Sequence, residues 1–95
     1  MSILKLRIQD DMKDALRTKD AQRLGTIRMI LAAVKQVEVD ERIEVSDKRL
    51  LKILATMCKQ RLNSIEYYQQ ASRQDLVEQE RFELQVIQTY MPIPS

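Results

Sequence analysis

One glycine, Gly25, and two prolines, Pro92 and Pro94, are all the backbone punctuation that this 95-residue chain contains. Hairpins and tight strand connections lean on Gly, Pro and Asn-Gly or Asp-Gly pairs, so a chain lacking them from residue 26 to residue 91 has little chemistry for turning a sheet. The sequence predicts an all-α fold.

Apolar spacing places the helices. Ser2 caps a first helix over about 2–18, in which Leu4, Ile8, Met12, Ala15 and Leu16 recur at steps of three and four. Asp20 caps a second over 20–38, with Leu24, Ile27, Ile30, Leu31, Val34 and Val37 as a broader stripe. The acidic stretch from Glu38 to Asp47 reads as a loop. Ser46 caps a third helix over 46–72, marked by Leu50, Leu54, Met57, Ile65 and Tyr68. A fourth over 73–91 carries Leu76, Leu84, Ile87, Tyr90 and Met91 until Pro92 stops it. Connections this short favour antiparallel neighbours, so the expectation is an antiparallel four-helix bundle-like domain over 1–91 with an extended tail at 92–95.

Composition narrows the function classes. With 44% hydrophobic residues the chain can bury one core, and a net charge of +2 on 32% charged residues suits neither a polybasic arm nor an acidic tail. No window approaches a membrane span, and the start lacks a secretory pattern. A soluble protein of the cytoplasm, or of an organellar matrix in a eukaryotic host, is expected, with no membrane partner. Cys58 stands alone, which excludes a disulfide framework or multi-thiolate site within one chain, and on the apolar side of its helix it reads as core. There is no His, no Gly-rich phosphate loop and no nucleophile beside a base. Neither catalytic residues nor a cofactor or metal is expected. Tyr67, Tyr68, Phe82 and Tyr90 are too few and too scattered for a base-stacking platform.

Three groups of residues stand out from this background. Arg61 falls within the apolar stripe of the third helix, and Glu80 and Glu83 fall within that of the fourth. A turn near Ser72 brings them opposite one another, predicting a partly buried structural ion pair. At the start of the third helix, Lys48, Arg49 and Lys52 crowd an end where the macrodipole favours anions; with Lys59 and Arg61, the segment 48–61 holds five cations and no anion. Lys48, Arg49, Lys52 and Lys59 read either as a solvated face or as a phosphate-facing ridge, extended on the second helix by Arg23, Arg28 and Lys35. Finally, Gly25, Met29, Ala32 and Ala33 form an uncharged back to the second helix. They read either as an ordinary exposed face or as a partner surface, with close backbone approach one reason for a glycine there.

The run from Ile8-Gln9-Asp10-Asp11-Met12 through Thr18-Lys19-Asp20, then Arg23-Leu24 and Ile27-Arg28-Met29-Ile30-Leu31-Ala32-Ala33-Val34-Lys35, resembles the GatB/YqeY family. So do Lys59-Gln60-Arg61, Ser64-Ile65-Glu66, the Arg73-Gln74-Asp75-Leu76 turn and Tyr90-Met91-Pro92. The resemblance implies an N-terminal helical bundle followed by a smaller helical domain, the second being absent from this chain. It also implies kinship with the tail of the B subunit of the tRNA-dependent amidotransferase, a tRNA-gripping arm whose glutamine-dependent carbon–nitrogen ligase chemistry resides elsewhere. Ser46-Asp47-Lys48-Arg49 departs from the acidic helix start common in the family, and Ser72 stands where the family often has Gly. The expectation is a non-catalytic binding module whose implied partner is tRNA or a tRNA-handling protein. The alternative is a protein-interaction or oligomerisation module.

Overall fold

The structure, a computed structural model, describes residues 1–92; of the tail expected at 92–95, everything past Pro92 lies outside the described residues. Four helices and no strand occur among the described residues: α1 (Ile3–Arg17), α2 (Ala21–Glu41), α3 (Asp47–Gln70) and α4 (Gln74–Gln88). The all-α fold class is as the sequence predicts. None of these helices is long and apolar enough to cross a membrane. The chain divides into two compact units, Met1–Ile53 and Leu54–Ser95, with the boundary inside α3.

Each predicted cap forms. Ser2 Oγ accepts from the Lys5 N–H at 3.0 Å, Asp20 Oδ1 from Arg23 at 3.2 Å and Ser46 Oγ from Arg49 at 3.1 Å, satisfying donors that a helix start otherwise leaves unpaired. In place of glycine, Lys19, Arg42 and Ser72 end α1, α2 and α3 with φ of 58°, 54° and 56°. Behind each, the next residue's N–H reaches back five residues: Asp20 to Ala15 O at 2.9 Å, Ile43 to Glu38 O at 3.2 Å and Arg73 to Tyr68 O at 2.9 Å. These are Schellman closures on non-glycine residues.

In the first unit α1 and α2 form an antiparallel hairpin, with Lys5 meeting Glu38 at one end and Arg23 meeting Asp14 at the other. Ile8 and Ala15 of α1, and Ile27, Ile30 and Val34 of α2, are buried. In the second unit the rest of α3 and α4 fold back on each other around Ile65, Val77 and Leu84, with Cys58 and Tyr68 packed against that cluster.

Two boundaries differ from expectation. α2 continues through Glu41, beyond the expected end at residue 38, although acidic residues are unfavourable at a helix C-terminus. Each has a partner that offsets the cost: Glu38 takes Lys5, Asp40 accepts from Gln36 at 2.8 Å and Glu41 takes Arg49. α4 ends at Gln88, three residues before the expected 91. Pro92 disfavours helical backbone at Met91, and the last residues close instead by short bonds from Tyr90 to Ile87 O and from Met91 to Gln88 O. The core also differs in detail. Leu16 is half exposed, whereas Val45, Ile53 and Val77 are buried without having been marked by the periodicity.

Candidate nucleic-acid interface

The extra turn of α2 decides what the cationic start of α3 can do. It brings Glu41 to Arg49, whose Nη1 and Nη2 donate to the two carboxylate oxygens at 3.1 and 2.5 Å. Arg49 is half-buried and committed to this two-bond contact. Lys48 and Lys52, one and five residues into α3, are exposed. Lys59, in the second unit, is exposed as well.

The N-terminus of α3 carries an anion of its own. Asp47 accepts the Ser2 hydroxyl and, at 3.2 Å, the Leu4 N–H. These bonds, the Ser2 hydroxyl foremost, hold its carboxyl below the usual carboxylate range. One side chain thus opens α3 and supports the first turn of α1, whose cap Ser2 is buried. Periodicity gave no hint of this, because the partners lie 45 and 43 residues apart in the chain. The same holds for Glu38, whose oxygens accept from Lys5 Nζ at 3.0 and 3.1 Å and from the Val45 N–H at 3.1 Å. The Val45 N–H, then Lys5, lowers its pKa, and Val45 is pinned in the core.

Arg61, Glu80 and Glu83 meet in the second unit. Arg61 Nε donates to Glu83 Oε1 at 3.2 Å and lies 4.0 Å from Glu80, with side chains 15%, 10% and 20% exposed for Arg61, Glu83 and Glu80. Glu83 Oε2 accepts from the Gln79 amide at 2.8 Å, so both its oxygens are satisfied. At Glu80, burial and then the charge of Glu83 push the pKa up, against the pull of Arg61. Arg23, counted among the second-helix cations, faces Asp14 at 3.3 Å and Asp11 at 3.8 Å. Arg28 and Lys35 are exposed.

The uncharged side of α2 is mostly open. Gly25, Met29 and Ala32 are exposed and Ala33 is half-buried. Beyond its chain neighbours and the adjoining backbone of α2, no heavy atom lies within 4 Å of where a Gly25 Cβ would sit, so close approach of another backbone is not what a glycine serves there. Cys58 is half-buried and its thiol is pushed up by burial, which disfavours the thiolate a nucleophile needs. Among the described residues, no three Cys, Asp or Glu side chains converge as a metal would require.

A family model described as Yqey-like protein matches residues 5–94. Relatives described as Altered inheritance of mitochondria protein 41, mitochondrial, come from several fungi. That of Eremothecium gossypii is 38% identical over 85 residues, 88% of this chain and 46% of the relative. That of Pyrenophora tritici-repentis is 36% identical over 84 residues, 88% and 46%. That of Vanderwaltozyma polyspora is 36% identical over 94 residues, 95% and 51%. The chain spans about half the length of the curated relatives it matches.

Proposed function

The chain belongs to the YqeY-like protein family, and from that membership we propose a non-catalytic binding module that grips tRNA by its phosphates, in the manner of an amidotransferase tail. The observation that supports it is the exposure of cations on α3: Lys48 and Lys52 are exposed in the first unit and Lys59 in the second. Lysines on flexible stems suit a phosphate backbone, where charge matters more than planar geometry. The scarcity of aromatic side chains fits recognition of backbone rather than of bases. Such a module works where tRNA is handled, in the cytoplasm or in an organellar matrix; the fungal relatives are described as mitochondrial.

The test is a titration of labelled tRNA into the protein and into a Lys48→Glu, Lys52→Glu double variant. The expected result is at least a tenfold loss in the variant, together with little change in Arg49→Gln, whose cost appears in stability. Equal affinity for wild type and double variant would remove the reading.

A second reading rests on the open side of α2, where Gly25, Met29 and Ala32 offer an uncharged surface on which two copies could meet without like-charge repulsion. Light scattering on wild type and Met29→Glu decides it. A concentration-dependent dimer dispersed by the variant supports self-association; a monomer in both refutes it.

A further inference from the structure

The antiparallel hairpin of the first unit leaves an open groove of about 360 Å³ along one side. Its α1 wall presents Lys5, Gln9 and Met12, and its α2 wall Leu31, Lys35 and Val39. Helical spacing continues both walls: Leu16, 51% exposed, lies one turn beyond Met12, and the exposed Arg28 lies one turn before Leu31. Val39, 62% exposed, stands at the rim beside Lys35. The surface is therefore apolar along its length and cationic at its edge.

Charge determines what suits it. Glu38 is the one carboxylate lining the groove, and both its oxygens are taken by Lys5 and the Val45 N–H. Lys35 acts on Glu38 through space and makes no bond to it that would neutralise it. The groove thus keeps a net positive edge along an apolar floor. A nucleic-acid backbone has no use for Met12, Leu31 and Val39, and a basic peptide would be repelled by Lys35, the cation that Glu38 does not pair. Two antiparallel helices form a trough suited to a third, read through anchors at i, i+3 or i+4, and i+7. The volume accommodates a few side chains rather than a large cofactor. We infer that this groove docks an amphipathic helix of a partner protein, with its apolar residues on Met12, Leu31 and Val39 and a flanking carboxylate on Lys35.

A phage-displayed library of helical peptides, selected against the intact chain, supplies the probe. The selected consensus should carry apolar residues at helical spacing beside Asp or Glu. By fluorescence anisotropy, that peptide should weaken about tenfold on Lys35→Glu and on Val39→Asp. It should bind Lys48→Glu as it binds wild type, which separates this site from the proposed tRNA contact. A basic-flanked version should prefer Lys35→Glu. No enrichment, a consensus lacking carboxylates, or indifference to Lys35→Glu would overturn the inference. So would displacement of the peptide by tRNA with Lys35→Glu costing tRNA affinity as much as Lys48→Glu, or a dimer dispersed by Val39→Asp, since the groove would then belong to nucleic acid or to a second copy.

Discussion

Arg61 gives up most of its water in the second unit, and Glu83 replaces it at 3.2 Å with its remaining oxygen held by Gln79. Removing one partner of such a pair strands the other; fully buried cases cost about 3–5 kcal/mol. The residual exposure here reduces that, so Arg61→Met should cost about 2–3 kcal/mol in urea unfolding, and adding Glu83→Leu should recover most of it. If Arg61→Met leaves stability unchanged and abolishes tRNA binding instead, the guanidinium is a contact residue. Glu80 carries the opposite sign from the other shifted carboxylates. Its folded pKa is raised, so its favourable contribution is complete below the unfolded pKa and is lost as pH rises through the folded value. Asp14, Glu38, Asp47 and Asp75 have lowered values, so theirs is present above the unfolded pKa and lost as pH falls through the folded one. Glu80→Gln should therefore stabilise the protein at neutral pH, with the difference from wild type shrinking as the medium is acidified into the carboxylate range. A difference independent of pH would contradict this assignment. At Gly25 the space for a methyl group is open, so Gly25→Ala should stabilise α2 by about 0.8–1 kcal/mol, read from the urea midpoint.

The helix ends are where element and residue meet. Ser72 holds a φ of 56° at the close of α3, a conformation that costs an L-residue free energy and glycine little. Ser72→Gly should stabilise by about 0.5–1 kcal/mol, whereas Ser46→Ala should cost about 1 kcal/mol through the lost α3 cap. Helices and caps were legible because their signals are local: Ser2, Asp20 and Ser46 each act on an N–H three residues ahead. The meeting of Arg61 with Glu83 was legible too, since periodicity sets the faces and a single turn sets the register. What escaped depends on distant partners. Nothing near Glu41 says that α2 will continue to it, because the reason is Arg49 eight residues on. Val45 reads as part of a loop, yet Glu38 fixes its N–H and the core takes its side chain. Glu38→Gln should loosen that segment, seen as faster hydrogen exchange at the Val45 amide with α1 and α2 otherwise protected. Unchanged protection at Val45 would show that packing alone holds it.

For the molecule as a whole, charge serves two purposes at once. Carboxylates at Asp14, Glu38, Glu41, Asp47 and Glu83 take internal partners, while Lys48, Lys52 and Lys59 of α3 stand exposed. A nearly balanced chain, +2 in all, can in this way present local positive surface without being a basic protein. Resemblance to the amidotransferase tail implies a tRNA partner, and the exposed Lys48 and Lys52 are the cations proposed to meet it. The dependence of tRNA affinity on salt tests this most directly, because each phosphate contact releases counterions and steepens the plot of log K against log salt. Wild type should lose affinity steadily as salt is raised, and the Lys48→Gln, Lys52→Gln variant should show a slope shallower by about two units, roughly one for each lysine. A flat wild-type plot, or the same slope for both proteins, would contradict the account.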